Sequence, residues 1–93
     1  MILEKEIETY LRIKVKQSGG MALKFTSPGY SGVPDRIILM PGGKIYFAEI
    51  KNERGRLSPI QLHCHKLFKG LGIHVYVLWS KKDVDTFMEI INE

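Results

Sequence analysis

The spacing of apolar positions along the chain changes several times, and each change marks an element. Leu3, Ile7, Leu11 and Val15 recur at the spacing of one helical face, and Gly19-Gly20 ends the pattern, which predicts a first helix. Met21 to Thr26 alternates and predicts a short strand, followed by the turn-rich "SPGYSG". Pro34 to Met40, with "RIILM", predicts a second strand. "PGGK" reads as a tight turn, since Gly42 and Gly43 take positive φ without steric cost. Ile45 to Lys51 then makes a third strand, antiparallel to the second. Ser58 and Pro59 open a helix as N-cap and first helical residue, with Gln61 completing a capping box. Its core face is expected to be Ile60, Cys64, Leu67, Phe68 and Leu71, and Gly70 and Gly72 end it. "IHVYVLW" predicts a fourth strand. Ser80 caps a last helix whose core face is Val84, Phe87, Met88 and Ile91. The order is α-β-β-β-α-β-α. The strand–helix–strand unit from Ile45 to Trp79 calls for a right-handed crossover and therefore parallel strands. The fold class is α/β, a mixed four-stranded sheet flanked by helices.

Composition changes this picture little. The chain has 93 residues, the size of one domain with a small core, and its 44% hydrophobic and 26% charged content is ordinary for a soluble globular protein. No apolar run approaches the ~20 residues that cross a bilayer, so no membrane partner is expected. The opening "MILEKEIETY" carries an early acid and lacks the apolar region of a signal peptide. A single cysteine, Cys64, excludes an internal disulfide and fits a reducing cytoplasm. The net charge of +4 and pI near 9.3 suit a polyanionic partner without requiring one.

One stretch does change the picture. In "FAEIKNERGR", Phe47 to Arg56, an apolar strand carries Glu49 and Lys51 on one face and Ile50 on the other. Charged groups in a buried strand need partners, because desolvating them costs several kcal/mol. The second strand begins with Asp35, just after Pro34. In an antiparallel hairpin the start of one strand lies beside the end of the next, which brings Asp35 near Glu49 and Lys51. Two adjacent carboxylates repel, and one tends to take up a proton unless a cation relieves them. Oxygen ligands favour a hard cation such as Mg²⁺ or Mn²⁺, and the Ile50 carbonyl offers a further oxygen. A lysine beside such a site positions a water and stabilises charge developing on a phosphate. This is the equipment of a phosphodiester hydrolase. The plainer reading is an Asp at a turn and a Glu–Lys pair on an exposed strand end.

Other polar residues fall around the same place. Glu4 shares a helical face with Ile7 and Leu11 and edges the sheet-packing side of the first helix, while Glu8 lies on a flank and Glu6 points away. Acids in a first turn are also favoured there for purely helical reasons. Gln61 is either a capping-box residue or an amide beside the cation site. Arg54, Arg56, Lys66 and Lys69 follow the acidic strand, and Lys24, Tyr30 and Arg36 surround the Asp35 turn. A basic rim around an acidic centre suits a phosphate backbone. "HCH" at residues 63–65 is not a zinc motif: on a helix His63 and His65 project roughly 200° apart, and no second Cys or His group supplies the spacing. Cys64 belongs to the apolar face, where burial keeps a thiol protonated. No phosphate-binding loop of the GxxxxGK[ST] type is present.

Taken in order, "EKEIETYLRIKVKQSGG", "KFTSPGYSG", "GVPDR", "FAEIK" and "GRLSPIQ" resemble the VRR-NUC branch of the PD-(D/E)XK nucleases, the virus-type replication-repair nuclease domain. The resemblance covers nearly the whole chain, as a single stand-alone domain of the phage or bacterial kind. It implies that Asp35 and Glu49, with the Ile50 carbonyl, ligate Mg²⁺ or Mn²⁺. It implies that Lys51 is the catalytic lysine, that Glu4 binds metal directly or through water, and that Gln61 is the family's helix-opening glutamine. It further implies a cytoplasmic DNA endonuclease resembling Holliday-junction resolvases. Symmetric cutting of a four-way junction needs two sites related by a two-fold axis, hence a homodimer. Two rivals keep the scaffold: a non-catalytic DNA-binding module, and a nuclease for linear or flap DNA.

Overall fold

In the computed structural model, which describes residues 2–93, the elements are α1 (Glu4–Gln17), β1 (Met21–Lys24), β2 (Arg36–Met40), β3 (Lys44–Ile50), α2 (Pro59–Gly70), β4 (Val75–Leu78) and α3 (Lys81–Ile91). The sheet order is β1-β2-β3-β4, antiparallel except for the parallel β3–β4 pair. This is the α-β-β-β-α-β-α order that the hydrophobic spacing predicts. The strands are shorter than their apolar runs. β1 stops at Lys24, although Phe25 N–H still donates to the Asp35 carbonyl at 2.9 Å and continues the pairing into the site.

Strand pleating divides the side chains into two layers. Ile38 and Met40 from β2, Ala48 and Ile50 from β3 and Leu78 from β4 face α1 and α3, which contribute Ile7, Leu11 and Val15, and Val84, Phe87, Met88 and Ile91. Phe87 is the keystone of this layer, edge-on to Tyr76 at 4.9 Å and to Tyr46 at 6.2 Å. Tyr10 Oη donates to Asp85 at 2.7 Å and ties α1 to α3. On the opposite face Phe47 meets Phe25 and Phe68 at 5.3 and 5.5 Å. No helix among the described residues is long and apolar enough to cross a membrane.

The helix α2 departs from expectation. Its N-terminus is capped as predicted: Ser58 Oγ accepts from Gln61 N–H at 3.2 Å. Of the expected core face, Cys64 and Phe68 turn inward, whereas Ile60, Leu67 and Leu71 are 52%, 44% and 79% exposed. The cause is rotation about the helix axis. At ~100° per residue, Ile60, Leu67 and Leu71 form a stripe offset from the one carrying Gln61, His65 and Phe68. The second stripe is seated on the sheet by the Phe68–Phe47 contact and by the backbone at Ile60. Gly32 approaches that backbone so closely that a Cβ there would lie 2.6 Å from the Ile60 carbonyl oxygen, and its φ of +87° also requires glycine.

Truncating the keystone tests this core. Phe87→Ala should destabilise the protein by roughly 3–5 kcal/mol in urea unfolding, with little change in the m-value.

Candidate active site

The site lies where β2 begins and β3 ends, next to the start of α2. Asp35 immediately precedes β2, and both of its carboxylate oxygens accept from the Ile50 N–H, at 3.2 and 3.4 Å. Pleating turns Glu49 to the α2 side, where it is only 3% exposed. Its Oε2 accepts from Gln61 Nε2 at 3.3 Å. The same Gln61 accepts through Oε1 from Ser58 N–H at 2.9 Å, so its cap and site roles coexist on opposite ends of one amide.

Lys51 continues beyond β3, its N–H donating to the Leu78 carbonyl at 3.0 Å. The loop after it folds back. Gly55 N–H donates to the Asn52 carbonyl at 2.8 Å, and a Cβ at Gly55 would lie 3.1 Å from Lys51 Cβ. The Trp79 indole N–H donates to the Gly55 carbonyl at 3.3 Å and braces that loop from β4's end. The structure places Trp79 against the Lys51 loop and puts Phe87 in the core.

Both carboxyls are perturbed upward. Asp35 is raised to about 6, chiefly by burial; the Ile50 N–H and the Arg36 guanidinium oppose the rise, and the charges of Glu4 and Glu8 add to it. Glu49 is raised to about 7, again by burial first and then by the Asp35 charge, with Lys51 pulling it down and Glu4 pushing it up. Glu4 itself is exposed in the first turn of α1, close enough for both acids to sense its charge. His65 is held below its ordinary value by burial and by Lys51.

Glu49 Oε1 is buried without a hydrogen-bond partner. Among the described residues, no three His, Cys, Asp or Glu side chains gather tightly enough to hold a metal alone. The donor set on hand is two carboxylates with the Ile50 carbonyl beside them. That set fits a hard cation that retains several waters, as Mg²⁺ does. The two carboxyls, both raised by burial, are what such a cation would satisfy.

The basic residues separate into two groups. Lys24, Tyr30, Arg54, Arg56, Lys66 and Lys69 are all exposed. Arg36 is not: it is 4% exposed, faces α1 and is ion-paired with Glu8. It pins α1 to the sheet, a role that sequence reading, which groups it with the rim, does not give it. Sequence reading also sets His65 aside with the "HCH" run. In the structure its Nε2 lies 4.0 Å from Glu49 Oε1. The signal was its position one helical turn after Gln61.

No family model matches the chain. A protein of Acyrthosiphon pisum secondary endosymbiont phage 1, "Putative nuclease p44", is 41% identical over 92 residues, covering 99% of this chain and 98% of the relative. A solved structure described as a VRR_NUC domain superposes with a TM-score of 0.86 at 34% identity, covering 92% of this chain and 94% of the other. The chain belongs to the VRR-NUC family of nucleases.

The raised carboxyls set a pH dependence for the protein in EDTA. In the folded state Asp35 and Glu49 titrate near 6 and 7, against ordinary values of 3.8 and 4.5. Between those limits the folded chain holds more protons than the unfolded one. Stability therefore falls as pH rises through that window and levels off above it. The melting temperature should be lower at pH 8 than at pH 5, and the double variant Asp35→Asn, Glu49→Gln should remove most of that difference.

Proposed function

We propose that this protein is a divalent-metal-dependent DNA endonuclease that acts as a homodimer on branched DNA such as Holliday junctions. The observation that carries the reading is the pair of carboxyls at adjacent strand ends beside Lys51, Asp35 half-buried and Glu49 buried, both pushed upward by burial. Asp35, Glu49 and the Ile50 carbonyl would hold Mg²⁺ or Mn²⁺, with Glu4 reaching it directly or through water. The bound ion supplies Lewis acidity toward a phosphodiester and lowers the pKa of water.

The chain's own residues do the rest. Lys51 offers its ammonium to the attacking water and to the negative charge that grows on the phosphate oxygens. Gln61 holds Glu49 by one oxygen, so the carboxylate stays oriented. The loop braced by Trp79 keeps the lysine stem packed against Gly55. Lys24, Tyr30, Arg54, Arg56, Lys66 and Lys69 supply contacts to a phosphate backbone without reading bases.

The homodimer is supported by apolar surface that this chain leaves uncovered. Ile60, Leu67 and Leu71 of α2 are exposed, as are Met21, Leu23 and Ile45 on the sheet face that carries Phe47. A second copy would bury such surface and bring a second site for the opposing strand.

Cleavage of a labelled four-way junction beside matched linear duplex tests the chemistry and the substrate together. Cutting in Mg²⁺ or Mn²⁺ should cease in EDTA, and Asp35→Ala, Glu49→Ala and Lys51→Ala should each slow single-turnover cleavage by ~10²-fold or more. Full activity in Lys51→Ala would remove the role given to that lysine. Equal cutting of both substrates would keep the nuclease and remove the junction preference. Binding without cutting would favour the non-catalytic module. For the assembly, Leu67→Glu with Leu71→Glu should convert a dimer to a monomer in sedimentation velocity and uncouple paired nicks.

A further inference from the structure

Glu49 is the most enclosed acid of the site, and only half of its carboxylate has a partner. Oε2 takes the Gln61 amide at 3.3 Å, while Oε1 is buried with none. Facing it at 4.0 Å is His65 Nε2, likewise buried and likewise without a partner. Two orphaned polar atoms pointing at each other inside a protein are costly unless something joins them. The gap is about 1 Å too long for a direct N–H···O bond. A small closing rotation of the two side chains would bring them within bonding range.

A neutral imidazole has one N–H. With that proton on Nδ1, the Nε2 lone pair would confront the carboxylate lone pairs. With the proton on Nε2, a donor faces an acceptor and both deficits disappear. Gln61 and His65 are one helical turn apart on the sheet-facing stripe of α2, so one helix face presents a donor to each oxygen of one carboxylate.

We propose that His65 is a positioning residue of the site: its Nε2–H holds Glu49 Oε1 while Gln61 holds Oε2, and the two together fix the carboxylate plane. This rests on the metal-dependent reading above only insofar as Glu49 is the ligand being oriented. Outer partners of ligating carboxylates commonly change metal affinity 10–100-fold. The competing role for His65 is space-filling beside the Phe68 side of α2, which an apolar residue of similar volume would perform as well.

Two measurements on the DNA-free protein separate these roles. The first is the imidazole nitrogen spectrum of metal-free protein above pH 7.5. The Nε2–H tautomer is expected for His65, and the Nδ1–H tautomer would overturn the proposal. The second is Mn²⁺ affinity, read from the free-ion electron paramagnetic resonance signal. His65→Leu should weaken binding by roughly 10-fold or more, and His65→Gln, which returns an N–H near the Nε2 position, should restore it to within about 3-fold of wild type. Wild-type affinity in His65→Leu, or equal losses in both variants, would overturn the donor role. Should His65→Leu fail to fold, His65→Gln and the tautomer decide. A wild-type protein that binds no Mn²⁺ would end the metal-dependent reading, and the tautomer in the same sample would still decide the Glu49 contact.

Discussion

Two carboxylates withdrawn from water at the ends of adjacent strands set the terms for everything around them. Asp35 and Glu49 meet at the Ile50 peptide, Asp35 by accepting its N–H and Glu49 as the residue before it in the strand. Burial raises both carboxyls, and each further charge at the site answers that fact. Arg36 stands beside Asp35 and pulls it down, but its guanidinium is committed to Glu8 on the α1 side of the sheet. Had that cation turned toward the acids, it would have offset one of their two charges from within. Diverting it preserves a negative, half-desolvated centre in a protein whose net charge is +4.

The sheet acts as the ruler for this arrangement. The antiparallel register places Arg36 opposite Ala48, so Asp35 falls one step earlier, level with Glu49. The parallel register of β3 with β4 places Glu49 opposite Val77 and Ile50 opposite Leu78, whose carbonyl accepts the Lys51 N–H. A slip of one residue in either pairing would turn Glu49 and Lys51 toward α1 and α3. The apolar layer of Ile38, Ala48 and Ile50 under those helices therefore guards the chemistry as well as the fold: burying these side chains fixes which face the charged ones occupy.

Much of this was legible in the sequence because it rests on local rules. Element order followed from spacing; the α2 cap from Ser58, Pro59 and Gln61; the meeting of Asp35 with Glu49 from hairpin logic. What escaped depends on long-range geometry. The rotation of α2 is decided by Gly32 against Ile60 and by Phe68 against Phe47, contacts between residues far apart in the chain. Periodicity locates an apolar stripe without saying which stripe meets the sheet. Arg36 looked like surface because its partner Glu8 comes from another element, and His65 looked like part of a false metal motif because its neighbour Glu49 does too.

That rotation connects the site to the outer surface. α2 presents Gln61 and His65 to Glu49, an inward side with two polar residues where an ordinary amphipathic helix would place aliphatic ones. The helix is consequently held by few apolar contacts, Cys64 and Phe68 foremost, and its aliphatic residues Ile60, Leu67 and Leu71 remain outside. Local stability follows buried apolar area, so α2 is the element whose seating on the sheet is least secured within one chain. In the homodimer proposed above, a second copy covering that stripe would supply the missing burial. It would press Gln61 and His65 toward the carboxylate they orient, and assembly and order at Glu49 would then be one equilibrium.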